Sequence, residues 1–120
     1  MTNPVALIIE DDESLATVFS MALQMAGFET EIARTGRAAL TSIAELTPAL
    51  ILLDLHLPHV AGQDILRQIR SEERLARTWV ILATADAITA EGLRGEADLV
   101  LLKPISVTQL RDLAKRLFPA

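Results

Sequence analysis

The chain of 120 residues, 51% hydrophobic and 22% charged, has the length and composition of one compact globular domain. Its 11 Lys and Arg against 16 Asp and Glu give a formal net charge of −5, which disfavours direct nucleic-acid binding because that binding depends on neutralising phosphates with Lys and Arg. It contains no cysteine, which excludes disulfides and thiolate chemistry, and its apolar runs are far shorter than the ~20 residues that span a bilayer. With no signal-like start either, we expect a cytoplasmic protein without membrane contact.

Short apolar runs alternate with segments of helical periodicity along the chain. Five runs predict β-strands, at residues 5–9, 28–33, 49–53, 79–83 and 99–102. The first, third and fourth lack period-two alternation, which is typical of strands buried on both faces of a parallel sheet.

Four of the intervening segments carry one apolar stripe at helical spacing. The first segment ends near Gly27 and the second before Pro48, both of which favour helix termination. The last begins with Ser106 and Gln109, which have the spacing of a capping box. The segment 86–95 is the weakest, because it is short and contains two glycines. Five βα units in alternation predict an α/β fold, a single doubly wound domain with helices on both faces of a parallel sheet.

Four of the five predicted strands end in polar or ionisable residues, at the edge where such sheets bind ligands. These residues are Glu10, Asp11 and Asp12 after the first strand, Asp54 after the third, Thr84 after the fourth, and Lys103 with Pro104 after the fifth. If the first and third strands are neighbours, three carboxylates converge. Two carboxylates ~4 Å apart repel by about 4 kcal/mol at an effective dielectric of 20. We therefore expect a positive partner: the Lys103 ammonium, a divalent cation, or both.

The residue types at this edge suit phosphoryl transfer. Carboxylates without His or Cys favour Mg²⁺, and a carboxylate in such a site can become an aspartyl-phosphate. Thr84 can donate a hydroxyl to a phosphoryl oxygen, and Lys103 can neutralise another.

Each residue also has an ordinary structural interpretation. Acids before a helix are commonly caps, which we predict for Asp12 and Ser14, and an Asp at a strand end is often a turn former. We interpret His56 and His59 as exposed loop residues and not as zinc ligands, because no Cys or third His accompanies them. The conjunction of four strand ends at one edge nevertheless favours a functional site.

These motifs resemble the receiver domain of two-component response regulators, and the resemblance covers residues 1–120 as one domain without an output domain. Residues 7–12 are similar to the apolar strand and acidic pair of that family, with Glu10 and Asp11 as the pair. Residues 52–58, followed by Gly62, resemble the phosphoacceptor motif around Asp54. Thr84 stands at the position of the hydroxyl residue, and Lys103 at that of the lysine, which is often followed by a cis prolyl bond.

The resemblance implies strand order 2-1-3-4-5 and transfer of a phosphoryl group to Asp54 from a histidine kinase or phosphotransfer protein. Asp11, Asp54 and the backbone carbonyl of His56 would bind Mg²⁺, with Glu10 acting through water. The domain would be a phosphorelay switch and not an enzyme, with slow self-catalysed dephosphorylation, and would act on a downstream output protein or domain.

The sequence departs from the family pattern at three places. The stretch between Thr84 and Lys103 is short, which predicts a truncated fourth helix. In addition, Val100 stands where the family often has an aromatic switch residue, and Ala61 where it often has a small polar residue. A pseudo-receiver that signals by protein contacts alone is therefore the alternative. A small Mg²⁺ phosphatase is a third hypothesis, but such enzymes carry a second Asp where this chain has His56. The face of the last helix is a candidate for homodimerisation.

Overall fold

A parallel sheet of five strands lies at the centre of the computed structural model, which describes residues 3–118. The strands are β1 (Val5–Ile9), β2 (Glu29–Ala33), β3 (Leu50–Asp54), β4 (Trp79–Thr84) and β5 (Leu99–Leu102). Their order is β2-β1-β3-β4-β5 with every pair parallel, which confirms the predicted order. The first two and last two residues of the predicted domain lie outside the described residues.

Helices cover both faces of the sheet. They are α1 (Glu13–Met25), α2 (Gly36–Glu45), α3 (Gly62–Ser71), α4 (Ala87–Leu93) and α5 (Val107–Leu117), with a short 3-10 helix at Glu73–Leu75. The apolar residues of α1 and α5 pack on one face, and those of α2, α3 and α4 on the other. The doubly wound α/β prediction is confirmed. Within residues 3–118, the helices are too short or too polar to cross a bilayer.

Side-chain caps fix where most of the helices begin. Asp12, Thr35, Asp86 and Ser106 precede α1, α2, α4 and α5, and each side chain accepts a hydrogen bond from a backbone N–H of the first helical turn. The predicted cap at Ser14 is wrong, because Ser14 lies inside α1, where its backbone is already helical. Helix α4 has 7 residues, so the prediction of a shortened fourth helix is confirmed.

The register of the sheet aligns the strand ends. Ile9 lies beside Leu53, and Asp54 beside Ala83. Thr84 lies beside Leu102, the residue before Lys103. Because the strands are parallel, the polar residues that follow them emerge at one edge, which is the geometry on which the sequence prediction depended.

An ion pair ties the connection between α4 and β5 to the sheet. Arg70 on α3 lies 2.9 Å from Asp98 Oδ2 and donates to the carbonyl of Glu96. The same Asp98 oxygen accepts a hydrogen bond from the backbone N–H of Val80 in β4. These contacts hold the start of β5 in place although α4 is short.

Candidate functional site

Three carboxylates meet at the carboxyl edge of β1 and β3. Glu10 and Asp11 follow β1, Asp54 is the last residue of β3, and one oxygen of each lies within 4.8 Å of one oxygen of each of the others. Glu10 and Asp54 are only 1% and 3% exposed, whereas Asp11 lies nearer the surface. The convergence that the strand ends predicted is present.

Lys103 supplies a positive partner. It follows β5 and reaches across β4, where its Nζ lies 3.1 Å from Glu10 Oε1 and 3.4 Å from Asp54 Oδ1. Its backbone N–H donates to the carbonyl of Thr84, which fixes the lysine beside the end of β4. The peptide bond from Lys103 to Pro104 is cis, as is often the case in the family that the sequence resembles.

Burial and charge shift the pKa values of this cluster. Loss of hydration raises the pKa of Glu10 to about 7, and the hydrogen bond and charge of Asp54 add to that effect against the opposing influence of Lys103. Burial disfavours the charged form of Lys103, but its hydrogen bond with Glu10 and the negative charges of Asp54 and Glu10 outweigh it, so the pKa of Lys103 is raised. Glu10 and Lys103 thus lower the cost of each other's burial.

The donor set fits a divalent cation. When the three carboxylates and the Lys103 ammonium are all ionised, the net charge of the cluster is negative. The carboxylate oxygens are hard ligands at close separation, as Mg²⁺ requires. The predicted contribution of the His56 backbone carbonyl stays a prediction.

Thr84 and His56 form a second part of the site. Thr84 ends β4 and is fully buried, and its Oγ1 accepts a hydrogen bond from the backbone N–H of Asp86 at 3.0 Å. His56 Nε2 lies 3.1 Å from the same Oγ1, while the backbone N–H of His56 donates to Asp54 Oδ1. His56 is an exposed residue of the β3–α3 loop, as predicted. Its contact with Thr84 was not foreseen, because no sequence pattern fixes the direction of its ring.

Arg34 lies beside the acidic loop after β1, and it was not included among the site residues predicted from the sequence. It follows β2, donates from Nη2 to the backbone carbonyl of Asp11 at 3.2 Å, and lies 3.8 Å from Glu13. Only the adjacency of β1 and β2 brings this guanidinium to the acidic loop. The alignment of strand ends is therefore the signal that could have found it.

Gly62 lets α3 begin directly beneath the site. A Cβ atom at this position would lie 2.7 Å from the Cα of Leu55, the residue after Asp54. Only a glycine permits this approach of the helix to the backbone that carries Asp54.

Comparisons with known proteins agree with this geometry. The sequence profile of the response regulator receiver domain matches residues 6–115. The DNA-binding response regulator MtrA of Mycobacterium tuberculosis (strain ATCC 25618 / H37Rv) is 36% identical over 107 residues, which cover 87% of this chain and 46% of that protein. The chain therefore spans about half the length of this curated relative.

Solved structures share the fold. Chemotaxis response regulator CheY4 of Vibrio cholerae superposes with a TM-score of 0.88 at 24% identity, over 98% of this chain and 100% of that one. The receiver domain of sensor histidine kinase PA1611 from Pseudomonas aeruginosa PAO1, which has a magnesium ion coordinated in its active site cleft, gives a TM-score of 0.86 at 25% identity, over 99% and 100% of the two chains. The profile match over residues 6–115 shows that this chain belongs to the response regulator receiver domain family.

Proposed function

We propose that Asp54 accepts a phosphoryl group from a histidine kinase or phosphotransfer protein, and that the domain acts as a Mg²⁺-dependent switch in phosphorelay signalling. The observation that carries this proposal is the buried Asp54 carboxylate beside Glu10 and Asp11, with Lys103 at 3.4 Å. Receiver domains are signalling domains that act with kinases and output domains, which supports the assignment.

The transfer step needs little beyond positioning and charge. A carboxylate oxygen of Asp54 forms a bond to phosphorus while the bond between phosphorus and the donor breaks, and the bonding electron pair leaves with the donor. Lys103 lies where it can stabilise negative charge on the transferred group, and the Thr84 hydroxyl is the candidate donor to a phosphoryl oxygen.

Asp11, Asp54 and the backbone carbonyl of His56 would hold Mg²⁺, with Glu10 acting through water. Bound Mg²⁺ would offset the carboxylate charges and the incoming phosphoryl charge. The magnesium ion in the receiver domain of PA1611 supports this choice of metal.

Phosphorylation would change the charge of the site enough to act as a signal. A phosphoryl group adds about −1.5 to −2 charges, which would compete with Glu10 and Asp54 for the Lys103 ammonium. Coupling of this kind is typically worth about 1–3 kcal/mol. We propose a downstream protein or domain as the recipient of the signal.

Labelling with a small phosphodonor tests the proposal. Acetyl phosphate with Mg²⁺ should transfer its phosphoryl group to the wild type and not to Asp54→Asn, and chelation of the metal should abolish labelling. Asp64→Asn is the matched control, because Asp64 is exposed on α3 and pairs with the exposed Arg67 of the same helix. Labelling of Asp54→Asn at the wild-type level would remove Asp54 from its proposed role.

The pseudo-receiver is the second candidate, and two observations favour it. Helix α4 has 7 residues, and Val100 stands on β5 where the family often has an aromatic switch residue. The assembled carboxylates and Lys103 favour the phosphoacceptor. A pseudo-receiver would show no labelling and no change of its NMR spectrum at millimolar Mg²⁺.

A further inference from the structure

The Thr84 hydroxyl is already engaged before any phosphoryl group arrives. Its oxygen accepts a hydrogen bond from the backbone N–H of Asp86 at 3.0 Å, and it lies 3.1 Å from Nε2 of His56. The residue is fully buried, so water does not provide an alternative partner.

Counting protons fixes the direction of the contact with His56. The Asp86 N–H can only donate, so Thr84 Oγ1 is the acceptor there. The hydroxyl has one proton of its own, and among residues 3–118 His56 Nε2 is the acceptor within its reach. If Nε2 carried a proton, the buried hydroxyl proton would lack a partner, which is unfavourable. The arrangement that satisfies every group has Thr84 donating to an unprotonated Nε2.

We propose that His56 is a positioning residue that holds the Thr84 hydroxyl in the unphosphorylated state. It competes with a phosphoryl group on Asp54 for the hydrogen bond that this hydroxyl donates. The inference rests on the proposed function. When the phosphoryl group is in place, the Thr84 O–H bond stays intact and its hydrogen bond moves from His56 Nε2 to a phosphoryl oxygen.

The loop geometry links this contact to Asp54. The backbone N–H of His56 donates to Asp54 Oδ1 at 3.0 Å, while the ring of the same residue reaches Thr84. His56 is therefore hydrogen-bonded both to the Asp54 carboxylate, which would accept the phosphoryl group, and to the Thr84 hydroxyl, which would stabilise that group once it is bound. Since His56 is exposed, water can replace Thr84 at Nε2 after release, so the ring acts as a weak latch.

Two substitutions at position 56 separate the latch from other effects. In His56→Asn, the amide takes the place of Nδ1 and falls short of Thr84, whereas in His56→Gln it takes the place of Nε2 and restores an acceptor. His59→Asn is the matched control, because His59 lies in the same loop and is also exposed. Its φ of 69° is one that Asn tolerates.

Affinity for fluoroberyllate with Mg²⁺, a mimic of the phosphoryl group, is the measurement. His56→Asn should bind fluoroberyllate about two- to tenfold more tightly than the wild type, the change that one ordinary hydrogen bond gives. His56→Gln should return to the wild-type affinity, and His59→Asn should not change it. In the wild type, ¹⁵N NMR of the imidazole should show Nε2 as an acceptor whose shift moves when fluoroberyllate binds.

The outcomes separate the two proposals. Equal affinity of His56→Asn and the wild type, or an Nε2 resonance that does not move, would overturn the latch alone. If the wild type does not bind fluoroberyllate at all, the proposed function fails and the latch fails with it.

Discussion

Replacing Glu10 with Gln should change how the stability of the metal-free domain depends on pH. Glu10 is buried at the end of β1, and its pKa is raised from 4.5 to about 7 by desolvation, with Asp54 adding to the effect. Between these values the folded chain retains a proton that the unfolded chain has released. The stabilisation from this proton is complete below the unfolded pKa and is lost as the pH rises through the folded pKa.

The size of the effect follows from the shift. One pKa unit corresponds to about 1.36 kcal/mol, so a rise from 4.5 to about 7 corresponds to at most about 3 kcal/mol. Gln resembles the protonated glutamate in shape and hydrogen bonding but does not titrate. The free energy of unfolding of Glu10→Gln, relative to the wild type, should therefore rise by up to about 3 kcal/mol between acidic and slightly alkaline pH.

Urea unfolding in the presence of a chelator, followed by far-UV circular dichroism at several pH values, measures this difference. Glu73→Gln is the control, because Glu73 is exposed on the 3-10 helix, and it should show no comparable trend. Added Mg²⁺ should reduce the trend, since metal binding favours ionised carboxylates. A difference between Glu10→Gln and the wild type that is constant with pH would refute the argument.

Two further predictions concern stability. Gly62→Ala should lower the free energy of unfolding by about 1–3 kcal/mol, because its Cβ would lie 2.7 Å from the Leu55 Cα. The control Gly92→Ala, where the space is open, should be neutral or stabilising. Urea unfolding that ranks the two variants in the reverse order would contradict this prediction. Asp98→Asn should lower it by about 1–2 kcal/mol, because it weakens the contacts to Arg70 and to the Val80 N–H. An unchanged thermal midpoint in Asp98→Asn would show that this tie is dispensable.

The central strands could be predicted from sequence because burial on both faces gives uninterrupted apolar runs. Their ends were less certain. Both β3 and β4 continue one residue beyond the prediction, since Asp54 and Thr84 are polar but still pair with their neighbours in the sheet. The second strand begins one residue later than predicted, so Phe28 lies before β2. Its ring packs edge-to-face on Phe118, with ring centroids 5.4 Å apart. Its apolar side chain led to its inclusion in the predicted strand, whereas the structure shows that it packs between elements instead.

The site was predictable as far as strand ends determine it. Glu10, Asp54 and Lys103 converge because the parallel register aligns the strands that precede them. The contacts of His56 and Arg34 depend on side-chain direction and on neighbouring loops. The ring direction of His56 leaves no periodic or spacing signal in the sequence, so its contact with Thr84 required the structure. Arg34 stands at the end of the predicted second strand, so the alignment of strand ends could have indicated its place near the site, but not the carbonyl to which it donates.

Chemical identification of the phosphorylated residue tests the central claim most directly. After treatment with acetyl phosphate and Mg²⁺, borohydride reduction converts an aspartyl-phosphate to homoserine, which peptide mass spectrometry locates in the chain. We predict homoserine at position 54 and none when the metal is chelated. Homoserine at Asp11 instead, or its absence from position 54 in a protein that was labelled, would contradict the assignment of Asp54 as the phosphoacceptor.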